Sequence, residues 1–290
     1  MIYKLFIFIN IIINSSSFIL PQIVREWHVV GIDNNIDKSK PYIYNIGKLP
    51  MVLWFNNNKE PYATINICKH LGAKLDTGII NNDCLICPNH FTKHNETDAI
   101  GNVISKNGLL WWSFKSYKKE PLSIFKRNTT NIHHTYVDIN VNLVNVILEF
   151  IYSSNINKNK IKNINNKFFF TEKLYNTDHR FIYKYPYYLK GSINRKINYV
   201  INFTPLEEYK TRLYISINNN IDTKIFINYF LNNKLHNLKN YDNNNYLKNL
   251  IVLKNEKTND YMKKIYLLFD KYSFPNEFTI SSFYKYRQFY

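Results

Sequence analysis

Two cysteines and two histidines stand in two short groups that together could hold a metal centre. Cys68 and His70 make the first group, and Cys87 and His90 make the second. Each group supplies one thiolate and one imidazole, in the pattern C-x-H followed by C-x-x-H. Two thiolates and two imidazoles suit a [2Fe–2S] cluster in which the cysteines hold one iron and the histidines hold the other.

The mixed ligand set predicts one-electron chemistry at a raised reduction potential. Thiolates stabilise ferric iron, and replacing two of them by neutral imidazoles removes negative charge from the centre. The potential of such a cluster lies at about −150 to +300 mV. Each histidine would bind through one ring nitrogen, so protonation of the other nitrogen is expected to be linked to reduction.

A structural zinc ion is the alternative, because Cys₂His₂ sites also bind zinc. A zinc finger normally groups its two cysteines and then its two histidines, whereas each group here contains one of each. The spacing therefore favours the cluster. Cys84 forms a C-x-x-C pair with Cys87, which is also the spacing of a redox motif. Because Cys87 is already assigned to the cluster, Cys84 is interpreted as a strand residue that enters the second group.

The residues around the two groups resemble the ligand loops of the Rieske iron–sulfur domain. His70 is followed by Leu-Gly-Ala-Lys-Leu-Asp-Thr-Gly, and Cys87 is followed by proline. Rieske proteins of respiratory complexes carry an additional cysteine in each loop, joined as a disulfide. The corresponding positions here are Ala73 and Asn89, so the resemblance points to the oxygenase or ferredoxin branch.

The strands predicted on either side of the loops extend this resemblance. Short β-prone runs bounded by polar residues occur at 27–30, 42–44, 51–55, 63–67 and 108–114. The dipeptide Gly101-Asn102 is predicted to form a hairpin turn, and the adjacent Trp111 and Trp112 are predicted core residues. The order resembles the N-terminal half of Rieske non-haem iron oxygenases of the monooxygenase type, which include pheophorbide a oxygenase and the cholesterol desaturases.

The resemblance implies an α+β fold with two domains. A β-rich Rieske domain is expected over residues 23–120 and a divergent helix-grip, oxygenase-like domain over 121–290. Residues 121–131 are interpreted as the connection, and the Asn- and Lys-rich segment 153–167 as a loop or insertion. Residues 197–217 are predicted to form two strands around a Thr-Pro…Thr-Arg segment that resembles a strand pair of the oxygenases. Residues 246–253 and 260–272 have helical spacing.

The second domain of these oxygenases holds a mononuclear Fe(II) between two histidines and one carboxylate. Segment 140–153 is the best match to the part of the family that supplies these ligands, but both histidines are missing from it. No histidine occurs between His134 and His179, and Glu149 is the only acidic residue in reach. A mononuclear Fe(II) therefore stays doubtful.

The remaining histidines offer a poor substitute for that iron site. Adjacent His133 and His134 point to opposite sides of a strand if extended. His179, with Asp178 beside it, and His236 are scattered along the chain, so a rebuilt site is left open. Two further histidines, His28 and His94, are interpreted as structural because the cluster already has its two imidazoles.

Two function classes follow from the resemblance. The first is a divergent Rieske oxygenase, an oxidoreductase that acts on a hydrophobic, sterol- or ring-containing small molecule. The second is a Rieske electron carrier or ligand-binding pseudo-oxygenase without mononuclear iron, so the enzyme assignment stays open. The family implies an electron-donating ferredoxin or reductase as partner, and often a homotrimer.

Composition and the chain start add few constraints. The formal net charge is +17, which would steer an acidic partner or merely reflect a solvated basic surface. No basic block or nucleic-acid motif stands out, so nucleic acid is not expected to be a partner. All three cysteines lie between residues 68 and 87, which suits a reducing compartment. Residues 1–22 resemble a signal sequence or weak membrane anchor and are too interrupted for a span, so the location is open between cytoplasm and membrane.

Overall fold

The computed structural model describes residues 26–218, except for 48, 115–119, 122–124, 126–130, 152–161, 165–166, 175–176, 185–187, 194–196 and 208. The apolar segment 1–22, the two predicted C-terminal helices and His236 lie outside the described residues. Within the part of the chain that is described, no helix has the length and apolar character of a membrane-crossing segment.

The first part of the chain forms three small antiparallel sheets. Their strand orders are β1-β9-β8, β2-β3-β4 and β5-β6-β7. The strands are β1 (His28–Ile32), β2 (Tyr42–Ile46), β3 (Leu49–Phe55), β4 (Pro61–Ile65), β5 (Ile79–Asn81), β6 (Cys84–Ile86), β7 (Lys93–His94), β8 (Asn102–Lys106) and β9 (Leu109–Ser113).

Among the described residues, the second part is a seven-stranded antiparallel sheet with one helix packed on it. The strand order is β10-β16-β15-β14-β13-β12-β11. The elements are β10 (Ile132–Ile139), α1 (Leu143–Ile151), β11 (Lys162–Ile164), β12 (Lys167–Leu174), β13 (Thr177–Lys184), β14 (Tyr188–Ile193), β15 (Ile197–Glu207) and β16 (Lys210–Asn218).

Helix α1 is held by a cap and an apolar face. The side-chain Oδ1 of Asn142 accepts a hydrogen bond from the backbone N–H of Asn145 at 2.9 Å, which satisfies a donor of the first turn. The apolar face is fully buried at Val146, Ile147 and Phe150. The ring centroid of Phe150 lies 5.5 Å from the ring centroid of Phe203 on β15. The spacing of these residues turns one face of the helix to the sheet.

The two parts share one hydrophobic core, because strands β1 and β2 of the first part pack on β15 of the second. The Thr204 hydroxyl donates a buried hydrogen bond of 2.8 Å to the carbonyl of Val29. The backbone N–H of Gly47 donates to the carbonyl of Pro205 at 2.9 Å. The large sheet thus supports the sheet β2-β3-β4, whose last strand leads into the first Cys/His group.

The predicted strands of the first part are confirmed, and Trp111 and Trp112 are buried as predicted. The predicted hairpin turn at Gly101-Asn102 is wrong. The chain reverses at Asn107 and Gly108, whose φ angles of 55° and 75° suit a tight turn between β8 and β9. Gly101 is needed for close approach instead, since a Cβ there would lie 2.3 Å from the Ser113 carbonyl oxygen.

The interpretation of residues 153–167 as a loop is wrong at its C-terminal end. Lys162–Ile164 form β11, and β12 begins at Lys167. β11 is the edge strand of the large sheet among the described residues. Edge strands often carry lysine and other polar residues, which discourage further strand pairing. Residues 152–161 lie outside the described part. The two strands predicted within 197–217 are confirmed as β15 and β16.

An ion pair on the large sheet gives its stability a pH dependence. Arg212 bonds both carboxylate oxygens of Asp138, at 2.6 and 2.9 Å, and this hydrogen bonding lowers the pKa of Asp138. A carboxylate whose pKa is lowered by folding stabilises the protein at pH values above the ordinary aspartate pKa. This stabilisation is lost as the pH falls through the lowered pKa. Asp138→Asn should therefore cost about 1 kcal/mol at neutral pH, and the difference should vanish in acid.

Urea unfolding at a series of pH values measures this difference. Glu207→Gln removes an exposed carboxylate from the same sheet and serves as the control. A stability loss in Asp138→Asn that is as large at pH 3 as at pH 7 would show that the Arg212 ion pair is not its cause.

Candidate metal centre

The two Cys/His groups lie in two loops that have the same backbone design. In the first loop the N–H of Cys68 donates to the carbonyl of Ala73 at 2.7 Å, and the N–H of Gly72 donates back to the carbonyl of Cys68 at 2.9 Å. Gly72 has a φ of 77°. These bonds form a tight turn that presents His70 at its exposed tip.

The second loop repeats these bonds at the same spacing. The N–H of Cys87 donates to the carbonyl of Thr92 at 2.9 Å, and the N–H of Phe91 donates to the carbonyl of Cys87 at 3.1 Å. Phe91 has a φ of 56° and so takes the place that Gly72 has in the first loop. The hairpin of β5 and β6 connects the two loops, which confirms the predicted arrangement of two loops separated by a turn and a strand.

Phe91 is an unusual residue for a left-handed backbone conformation. A residue with a Cβ pays about 1–2 kcal/mol there, whereas glycine does not. Its side chain is 72% exposed, so little burial is lost on its removal. Phe91→Gly should therefore raise the free energy of unfolding by about 0.5–1 kcal/mol, after allowance for the greater freedom of glycine in the unfolded chain.

Chemical denaturation of Phe91→Gly and Phe91→Ala separates backbone strain from side-chain loss. Alanine removes the ring but keeps the strained conformation, so its stability should stay close to that of the parent. Equal stabilisation by alanine and glycine would contradict the explanation from the φ angle.

The two thiols and the two imidazoles form separate pairs. Cys68 and Cys87 are 3% and 1% exposed and lie in one buried cluster. The rings of His70 and His90 lie edge-to-face with centroids 5.1 Å apart, and both residues are exposed. Among the residues described, no group of three or more His, Cys, Asp or Glu side chains could hold a single metal ion. The four side chains are thus arranged as two pairs.

The environment of Cys87 favours the thiolate. Burial opposes ionisation of its thiol, but the backbone N–H groups of Asn89 and His90 and the side chain of Cys68 outweigh burial and lower the pKa of Cys87. The thiolate is the form that binds metals. A buried thiol pair with backbone donors, next to an exposed imidazole pair, fits a [2Fe–2S] cluster with different ligands on its two irons.

The thiols rest on an apolar platform below the loops. Both cysteines pack in one buried cluster with Val52 and Trp54 of β3 and with Leu85 of β6. Cys84 is a partly buried strand residue of β6, as predicted. The platform excludes water from the cysteine end of the site and leaves the histidine end open.

Two polar braces hold the first loop and were missed in the sequence. The buried Asn66 side chain accepts hydrogen bonds from the backbone N–H groups of Leu75 and Asp76, at 2.7 and 2.9 Å. Lys69 Nζ lies 2.7 Å from Asp98 Oδ2, in a turn where Asp98 also forms a capping box with Asn95. A single asparagine or lysine among many gives no sequence signal for such a role.

His94 lies closer to the cysteines than the sequence suggested. It is 2% exposed, and its Nε2 is 3.4 Å from the Sγ of Cys68. Burial lowers the pKa of His94. The sequence predicts a structural role for His94 and gives no signal for this contact, because His94 and Cys68 are far apart in the chain.

The described histidines of the large sheet do not come together. The Nδ1 of His134 on β10 lies 2.8 Å from the Ser216 hydroxyl, and His133 is exposed. His179 on β13 stacks on Phe181. Strands β10 and β13 are four strand spacings apart in the sheet, or about 19 Å. These histidines therefore do not fit a shared mononuclear iron site.

The segment predicted to match the iron-binding part of the oxygenases forms helix α1 and its flanks. Its buried apolar side chains, Val141, Leu143, Val146, Ile147 and Phe150, belong to the hydrophobic core, and Asn145 is buried beside them. The side chains of Glu149 and Asp178 lie outside the described part of the structure.

Comparison with known proteins supports the cluster loops most strongly. Residues 26–112 match the family model for the Rieske [2Fe-2S] domain. Over 69 residues the chain is 30% identical to the oxygenase component of 3-ketosteroid-9-alpha-monooxygenase from Rhodococcus rhodochrous, a match that covers 24% of this chain and 18% of that protein. Over 67 residues it is 28% identical to the anthranilate 1,2-dioxygenase ferredoxin subunit of Burkholderia cepacia, covering 23% and 61%. The chain thus spans less than two thirds of each relative.

Solved structures extend the likeness to most of the chain at the level of the fold. The crystal structure of dicamba monooxygenase superimposes with a TM-score of 0.63 at 13% identity, over 86% of this chain and 97% of that chain. NdmB of Pseudomonas putida CBB5 has a TM-score of 0.57 at 13% identity, over 74% and 80%.

Proposed function

We propose that this chain, whose residues 26–112 form a Rieske [2Fe–2S] domain, is an oxidoreductase that passes single electrons through a cluster held by Cys68, His70, Cys87 and His90. The separation of the buried thiol pair from the exposed imidazole pair carries this proposal. When bound, the cluster supplies one-electron transfer.

The residues of the site divide the work between them. Cys68 and Cys87 would hold the iron that lies above the apolar platform, away from water. His70 and His90 would hold the iron nearer the surface, where a redox partner can approach within a short distance. Both histidines are exposed, so the ring nitrogen of each imidazole that does not bind iron would be open to solvent.

A reversible redox titration tests electron transfer directly. The purified protein, reconstituted with iron and sulfide, should take up one electron per chain, with a potential within about −150 to +300 mV. Full reoxidation should restore the starting visible spectrum. Failure to accept an electron anywhere in this range would contradict the proposal.

The partner is proposed to be an acidic ferredoxin or reductase. The net charge of +17 supports this choice, because opposite charges raise association rates. Reduction by such a partner should slow steeply as salt is added. The homotrimer and an association of the N-terminal segment with membranes stay predictions.

A divergent oxygenase is the second candidate, supported by the fold that the chain shares with dicamba monooxygenase. We infer a Rieske domain over 23–120 and a helix-grip, oxygenase-like domain over 121–290, acting on a hydrophobic ring-containing small molecule. An oxygenase requires a mononuclear iron, and the described histidines of the large sheet lie too far apart to hold one together. Their separation favours the electron carrier or pseudo-oxygenase. A third iron per chain, removed selectively by a ferrous chelator, would restore the oxygenase.

A further inference from the structure

His94 lies where it can act on the cluster without binding an iron. It is the last residue of β7 and pairs with Leu85 of β6, so its backbone is fixed by the sheet that connects to the second loop. The imidazole is buried, and its Nε2 lies 3.4 Å from the Sγ of Cys68.

The chemistry of an iron-bound cysteine decides the direction of this contact. A thiolate that binds iron carries no proton, so Cys68 can only accept in the contact with His94. The hydrogen bond must then run from the Nε2–H group to the sulfur, which fixes the tautomer of a neutral His94. The distance of 3.4 Å suits an N–H···S bond, because sulfur is a larger acceptor than oxygen.

We propose that His94 is a positioning residue that raises the reduction potential of the cluster by donating a hydrogen bond from Nε2 to the Cys68 thiolate. Hydrogen bonds to the sulfurs are among the factors that set the potential of iron–sulfur clusters. Reduction adds negative charge that spreads onto the sulfur ligands, so a donor at Cys68 stabilises the reduced state more than the oxidised state. This inference rests on the proposed cluster ligation.

The surrounding residues keep the donor in place. Asn95, which follows His94, begins a short turn. Its side-chain Oδ1 accepts a hydrogen bond from the backbone N–H of Thr97, and the Asp98 carboxylate accepts one from the backbone N–H of Asn95. Asp98 is in turn paired with Lys69, the neighbour of Cys68, at 2.7 Å. The ion pair between Lys69 and Asp98 therefore joins the two segments that carry the donor and the acceptor of the N–H···S bond.

Three variants test the proposal by spectroelectrochemistry. His94→Phe keeps a buried ring but removes the donor, and His94→Gln places an amide N–H near the position of Nε2. His28→Phe replaces a buried histidine of the sheet β1-β9-β8 and serves as the control. At the parent's midpoint the ratio of reduced to oxidised cluster should fall about tenfold in His94→Phe, equivalent to about 59 mV for one electron. It should fall less than threefold in His94→Gln and stay unchanged in His28→Phe.

The outcomes separate this inference from the proposed function. A parent protein without a Rieske spectrum would overturn the cluster itself. A normal spectrum in His94→Phe with an unchanged potential would overturn only the role of His94. If His94→Phe fails to bind the cluster, electron–nuclear double resonance on the parent protein labelled with ¹⁵N in the histidine rings decides. A third, weak ¹⁵N coupling beside the two strong ones is expected, and its absence would overturn the hydrogen bond.

Discussion

Cys87→Ser and His70→Cys will each abolish the normal Rieske spectrum of the reconstituted protein. Serine is a poor replacement for the thiolate that stabilises ferric iron, and Cys87 is 1% exposed, so no solvent ligand can take its place easily. A cysteine at position 70 returns a negative charge to the histidine-bound iron and lowers the reduction potential. The visible spectrum and the EPR spectrum of the reduced protein measure both losses.

Cys84→Ser is the matched control for the cysteine variant. Cys84 lies three residues before Cys87, in β6, and is partly buried. It should retain the cluster with an unchanged spectrum and potential. Retention of the normal Rieske spectrum in Cys87→Ser or His70→Cys would remove the assignment of that residue as a ligand.

Asn66→Ala will unfold at lower urea concentration than the parent, with a loss of about 1–3 kcal/mol in the free energy of unfolding. The side chain accepts two backbone hydrogen bonds, from Leu75 and Asp76, and the Leu75 bond is buried. Alanine leaves two N–H groups without this acceptor, at a cost of about 1–3 kcal/mol for each group that water cannot reach. The first ligand loop should also bind iron less completely.

Asn66→Asp separates the loss of the acceptor from the loss of side-chain volume. A carboxylate has nearly the same shape and accepts both N–H bonds strongly, so the destabilisation should be less than half that of alanine. Urea unfolding of the protein without iron measures both variants in the absence of the cluster. Equal destabilisation by alanine and aspartate would contradict the bracing role of Asn66.

The sequence predicted the strands and turns around the two Cys/His groups well because their signals are local. The donors in C-x-H and C-x-x-H are close in the chain, and the runs of β-prone residues around them are bounded by polar turn residues. The repeated backbone design of the two loops was not predictable, since Gly72 and Phe91 occupy equivalent positions with unrelated side chains. A phenylalanine gives no sequence signal for a left-handed conformation.

Contacts between distant residues were the part that sequence reasoning missed. His94 and Cys68 are separated by 26 positions, and their contact exists only because β7 returns beside the first loop. The sequence predicts a loop at the edge strand β11 because lysine and asparagine are typical of loops, and composition does not show that this strand pairs with β12. The hairpin turn predicted at Gly101 lies at Gly108 instead. Both glycines have positive φ angles, but Gly108 is needed for the turn and Gly101 for the close approach of the Ser113 carbonyl.

The most direct test of the central claim is the metal content of the purified chain together with an EPR spectrum after reduction by dithionite. Two irons per chain, and the low average g-value of a cluster with mixed cysteine and histidine ligands, are the predicted result. Zinc without iron, in a colourless protein, would contradict the cluster and the electron transfer that depends on it.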